Sequence, residues 1–325
     1  MSNKVNKDKF MIDETKSEYI KNAVELFIKK ENEGFETRYK SWRVCHEFYL
    51  KLFKKYKGKT FNDLTENDKQ LSLLNLSFYL ASWGMYRGSS FVLQYDNSIF
   101  QNVVNVILNE KYSILWDLDY KTIKDNKEKV KNLLVEIGKD INKNLSEYRS
   151  FYNSKSYLKG KDKNEEYISQ TLTTKILLGT VCCIPAYDTY FSKSISGTFS
   201  NFYNDEKIDN LLELIIRNDI FLNLSESKNY PLMKIVDMAY FDIGIEKEFN
   251  RYYEKYIMTL KEPTSYDIWK KVVKCIRQFY YKLNENADHD IHVAFKCDKT
   301  QVDKFINKYK SKIDNIVLRL RDNND

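Results

Sequence analysis

The stretch that most constrains this chain is Leu71 to Tyr95, LSLLNLSFYLASWGMYRGSSFVLQY, the longest apolar run in a sequence otherwise crowded with Lys, Asp and Asn. At helical spacing it has distinct faces. Ser77, Ala81, Gly84 and Gly88 make a stripe of small residues, Tyr79, Trp83 and Tyr86 an aromatic one, and Leu73, Leu76 and Leu80 a third. A helix that is apolar nearly all round belongs in the middle of a bundle. A glycine inside a helix costs about 1 kcal/mol relative to alanine. Gly84 and Gly88 therefore imply a close approach by another element, or a helix that ends near Gly88 with Ser89 as the N-cap of the next segment.

Arg87 is the one cation in this run. Trp83, at i−4, offers its ring for a cation–π contact and for packing of the arginine stem. A guanidinium taken out of water without a partner costs several kcal/mol. If the helix is central, Arg87 needs an acidic partner or an anionic ligand, and Trp83 and Tyr86 become neighbours of that site. The same segment carries a resemblance. Phe78 to Gln94, FYLASWGMYRGSSFVLQ, resembles a stretch of a family of uncharacterised bacterial proteins of similar length. The resemblance fades outside that segment. It implies a folded, bacterial, intracellular protein and assigns no catalytic residue.

With 325 residues there is room for one large domain or two ordinary ones. Three prolines and nine glycines are too few for the many turns of a sandwich, barrel or doubly wound sheet, which favours helices. The five cysteines are odd in number, contain no CxxC, and include the adjacent pair Cys182–Cys183, a pattern of reduced thiols. The opening MSNKVNKDKF has no apolar signal core, and Asn75 and Ser77 interrupt the longest run too early for a membrane span. The expected location is cytoplasmic. A net charge of +7 permits contact with nucleic acid without demanding it. Positive charge is least opposed in KLFKKYKGK, where Lys51, Lys54, Lys55, Lys57 and Lys59 form either a solvated helix end or a phosphate contact.

A second apolar run, ILLGTVCCIPAYDTYF, covers Ile176 to Phe191. Gly179, Cys182 and Ala186 repeat the small-residue stripe, and Pro185 kinks or ends the helix. Asp188 is the lone charge of this run as Arg87 is of the first, so the two helices are expected to pack by their small faces and pair Arg87 with Asp188. Tyr187 then lies beside the pair. Asp237 and Asp242, in PLMKIVDMAYFDIGIE, are the rival partners. Amphipathic helices are expected over 13–30, 36–56, 97–108, 121–153, 208–220, 231–246, 265–283 and 301–313. Thr65, three residues before Asp68, caps the first apolar run. The expected fold is mainly α, an irregular bundle around the helices 71–94 and 176–191. Its expected division is a helical core over 1–260 and a small C-terminal helical subdomain over 261–325.

No Walker A loop, G-x-G-x-x-G, HExxH or G-x-S-x-G occurs, and the chain has only three histidines. His289 and His292, with Asp288, Asp290 and Cys297, suit a metal only on a helix or turn, because residues three apart on a strand face opposite sides. They are read as a surface loop, and no metal site is assigned. Asp117 and Asp119 before Lys121 resemble a metal-nuclease triplet, but Asp119 also stands where a helix needs its N-cap. Arg43 and His46 share a helical face as structural residues. Two functions are compatible with these residues. One is a binding protein with an Arg87-centred site for a partner, nucleic acid or an anionic ligand. The other is a metal-dependent enzyme acting on nucleic acid or a nucleotide through Asp117, Asp119, Asp188 or Asp242. The sequence assigns no cofactor.

Overall fold

The computed structural model describes residues 12–33, 37–87, 90–155, 168–195, 205–285 and 299–322. The fold is mainly α, and among the described residues there is no strand. His289, His292 and their acidic neighbours lie outside the described residues. No helix among the described residues is long and apolar enough to cross a membrane.

Contacts divide the chain into two compact units: Met1–Asp188 with Phe199–Ala239, and Thr189–Thr198 with Tyr240–Asp325. The first holds α1 (Glu14–Glu33), α2 (Thr37–Tyr56), α3 (Glu66–Ser82), α4 (Gln101–Leu108), α5 (Tyr120–Asp125), α6 (Lys127–Lys155) and α7 (Gln170–Gly179). The second holds α8 (Thr189–Ile195); α9 (Asp205–Ile216) and α10 (Ile220–Lys228) return to the first. Residues of α11 (Leu232–Tyr252) contribute to both, and α12 (Tyr266–Glu285), α13 (Lys299–Lys308) and α14 (Lys310–Asp322) complete the second.

In the first unit α2 lies against α3, and α7 packs on α2, α3 and α6. Thr65 caps α3 as expected: its hydroxyl oxygen accepts the Asp68 N–H at 3.2 Å. Asp68 also accepts from Lys55 at 2.8 Å and from Tyr56 at 2.7 Å, which ties the end of α2 to the start of α3. Asn126 separates α5 from α6 where the hydrophobic spacing implies one helix.

Both apolar runs stop being helical earlier than their hydrophobic pattern implies. The first ends at Ser82. Gly84 has φ +72°, a left-handed position that favours glycine. Its N–H donates to Ala81 O at 2.9 Å, and the Met85 N–H reaches back to Leu80 O at 2.8 Å, closing a Schellman turn. The second run ends at Gly179, six residues before Pro185. Thr180 to Tyr187 then runs buried without regular structure, with Cys182 at φ +58°.

The second unit has its own core. Phe249, Trp269, Val272, Ile276, Phe305 and Ile316 are buried together. A π-helical turn, Tyr253–Ile257, follows α11, and carbonyls just after it are taken by α13 and the residue after that helix. Gln301 donates to Met258 O at 2.9 Å, and Lys308 and Tyr309 donate to Leu260 O at 2.9 Å and 3.0 Å.

Candidate functional site

The buried passage 180–187 organises the polar interior of the first unit. A backbone without a ladder must find other hydrogen-bond partners when it leaves water. Side chains supply them. Just before the passage, in the last turn of α7, Leu178 O accepts from Trp42 Nε1 at 2.9 Å. His46 Nδ1 faces Thr180 O at 2.7 Å; a carbonyl only accepts, so the proton sits on Nδ1. The Ala186 N–H donates to Asp237 Oδ1 at 3.0 Å, and the Tyr187 N–H donates to Thr174 Oγ1 at 2.8 Å. Thr171 Oγ1 donates to Tyr187 O at 3.0 Å.

Asp237 is thus a structural acceptor, and its other oxygen holds a lysine. Lys234 Nζ stands 2.8 Å from Asp237 Oδ2, with Lys234 only 1% exposed. The ammonium faces the rings of Phe27 at 4.2 Å, Trp42 at 5.0 Å and Trp83 at 5.7 Å from their centroids. These rings replace part of the lost hydration. Trp42 stacks with His46, at 5.4 Å, and with Tyr230, at 6.0 Å. A second buried carboxylate, Glu31, bonds the Arg43 guanidinium and accepts the Tyr230 hydroxyl at 2.6 Å. Arg43 also bonds the Tyr230 hydroxyl and covers its ring at 4.6 Å.

Arg87 does not occupy this interior. It is exposed, and its Nε donates to Gly84 O at 2.5 Å. The Schellman turn is the physical reason: helix α3 has already ended, so the residue expected on a buried face falls on an exposed turn. A Cβ on Gly84 would stand 3.2 Å from Arg87 Nε, so glycine there also makes room for the guanidinium. Trp83 and Tyr86 are half-buried, Tyr187 is buried and Asp188 half-buried. Asp242 is half-buried on α11 in the second unit. Asp237, weighed as a partner for Arg87, belongs instead to Lys234.

A cation that hydrophobic patterning does not single out lies next to Arg87. Lys175, on α7, is 5% exposed and donates from Nζ to Trp83 O at 2.8 Å. Arg87 and Lys175 therefore bond two successive carbonyls, 84 and 83, at the carboxyl end of α3, where the helix dipole is negative. Among the described residues Lys175 makes no ion pair. Burial pulls the Lys175 ammonium below the ordinary lysine value; Asp188 and Asp237 act against that shift, and Arg87 and Lys234 act with it. The Trp83 ring is approached by Lys175 at 5.8 Å and Lys234 at 5.7 Å, and Tyr39 packs against it in a T-shaped contact at 5.8 Å. That ring is used internally and is a poor platform for stacking a base.

The other sequence candidates lie apart from this site. Asp119 caps α5, accepting the Thr122 N–H at 2.7 Å, and that bond lowers its pKa. Asp117 is exposed. Among the described residues no group of three or more His, Cys, Asp or Glu is arranged to hold a metal ion. All five lysines of the 51–59 run are exposed; Lys55 pairs with Asp68 and Lys57 with Glu110.

His46 gives one pH-dependent expectation. Burial lowers its pKa below 6.5, more than the Thr180 bond and Glu47 raise it, and Arg43 lowers it further. The unfolded chain then holds the proton more tightly than the folded one. This contribution to stability is whole above pH 6.5 and is lost as pH falls from 6.5 through the folded value. Urea midpoints measured across that window should fall more steeply for the natural chain than for His46→Gln. Parallel slopes would remove His46 as the cause.

The fold is a helical one in which Arg87 and Lys175 each donate to a main-chain carbonyl just past the last turn of α3. No protein-family model, no curated protein and no solved structure matches the chain, so its own geometry is what bears on function.

Proposed function

We propose that the chain is a binding protein that recognises an anionic group through Arg87 and Lys175, beside Trp83, Tyr86 and Asp188. The supporting observation is the convergence of these two cations on adjacent main-chain carbonyls with no carboxylate in ion-pair contact with Lys175. Two positive charges exceed what the partial charge of a helix end balances. Exposed Arg87 offers the fork that binds phosphate or carboxylate in two-point fashion. The crowded Trp83 ring favours a ligand recognised by its charge over one stacked by a base. Exposed Lys51, Lys54 and Lys59, near the opposite end of α3, would form a separate phosphate contact if the anion belongs to a nucleic acid.

Thermal unfolding in phosphate, against chloride at equal ionic strength, tests this reading. A ligand that binds only the folded state raises Tm with its concentration. The natural chain should show a phosphate-specific rise, and Arg87→Ala, an exposed substitution, should lose it without a change in the chloride Tm. Lys175→Met should lose it as well. An equal phosphate response in all three proteins would reject the site.

A further inference from the structure

The outer face of α3 carries a feature that the anion site does not use. Asn67, Gln70, Leu71, Leu74, Phe78 and Ala81 are all exposed. At 100° per residue they lie within about 100° of arc, so they form one continuous stripe. Leu71 is 37% exposed, and Leu74 and Phe78 are 56% exposed. Their i, i+3, i+7 spacing is that of a coiled-coil seam. No member of the stripe is charged, and from Gln70 to Tyr86 the chain carries no charge at all. The charges at the start of the helix are paired, Glu66 with Lys69 at 2.7 Å and Asp68 with Lys55 of α2 at 2.8 Å.

We propose that this stripe is the contact through which a second copy of the chain docks, α3 against α3 about a twofold axis. Charge selects this occupant. Two copies of a chain with net charge +7 repel over most of their surfaces, and this face brings no charge against itself. A different partner would find no charge here to distinguish it, whereas a twofold contact needs only a self-complementary seam. Area sets the strength. The three large side chains expose roughly 300 Å² of apolar surface per copy, comparable to the largest patch on an ordinary monomer. Since about 60% of an interface is apolar, the pair would bury roughly 1,000 Å² in all. That is the lower edge of specific interfaces, so the dimer forms with rising concentration and is not obligate.

Sedimentation equilibrium of the full chain, from about 1 to 200 µM, tests the proposal. The weight-average mass should climb from 38.9 kDa toward twice that value as concentration rises. Leu74→Glu and Phe78→Glu, both at exposed positions, should stay at 38.9 kDa throughout with an unchanged circular dichroism spectrum. Leu318→Glu, at an apolar residue 54% exposed on α14, should associate like the natural chain. A natural chain that stays at the monomer mass gives the stripe to some other partner and overturns the proposal. So does Phe78→Glu that still dimerises, or Leu318→Glu that does not.

Discussion

Asp237→Ala is expected to lower the stability of the first unit by about 4 kcal/mol, the cost of leaving a buried charge without its partner. The substitution removes two interactions at once. Lys234, 1% exposed, loses the carboxylate 2.8 Å from its ammonium. The Ala186 N–H, inside the buried passage, loses its acceptor at 3.0 Å. Whole-domain stabilities are about 5–15 kcal/mol, so a loss of this size approaches unfolding. Asp237→Asn separates the two losses, because an amide oxygen still accepts the Ala186 N–H. It should cost less than the alanine variant and more than nothing. Adding Lys234→Met removes the stranded charge while keeping a stem of similar volume between Phe27, Trp42 and Trp83. The double variant Lys234→Met/Asp237→Asn should therefore recover most of the loss, since apolar replacement of a buried pair is often neutral or stabilising. Urea unfolding followed by tryptophan fluorescence reads the series, because Trp42, Trp83 and Trp116 all lie in the first unit. If the alanine and asparagine variants are equal and close to the natural chain, the Lys234–Asp237 pair does not hold the passage.

The parts of the fold legible in the sequence are those that hydrophobic period can carry. The amphipathic helices α1, α2 and α12 fall where their spacing puts them, and Thr65, Asp119 and Ser265 cap helices for the reason their side chains allow. Period says nothing about where an apolar run leaves the helix. Gly84 is visible as a glycine, but whether it packs or terminates depends on its φ. Cys182 is harder still, because nothing in an ordinary side chain announces a left-handed backbone. Arg87 lies outside its expected place for that reason: its depth is inferred from a helix that has already ended. Charges buried in apolar runs do find polar partners here, a carbonyl for Lys175 and a carboxylate for Lys234, but they are not the residues expected. Lys175 in TTKILLG and Lys234 in PLMKIVDMAYF are such charges, and Lys234 stands at i, i+3 to Asp237. The abundance of lysine elsewhere in the chain makes these two look ordinary.

The small-residue stripes also divide, and Gly179 tests the half that survives. Helices α3 and α7 do pack together, as their sequences suggest, but Gly179 faces the aromatic stripe of α3 and not its small one. A Cβ at Gly179 would overlap the Tyr79 ring. Tyr79 is 1% exposed and cannot swing aside. Gly179→Ala should thus lower stability by about 2 kcal/mol, overpacking outweighing the roughly 1 kcal/mol that alanine gains over glycine in a helix. Tyr79→Ala alone leaves a cavity and should cost about 4 kcal/mol. Combined, the two should cost less than their sum by more than about 1 kcal/mol, because the added methyl enters space the ring has vacated. That coupling, measured as a double-mutant cycle in urea, distinguishes direct contact from two independent defects. Strict additivity would mean that the helices do not meet at this point, and with them would go the placement of Lys175 against the carboxyl end of α3.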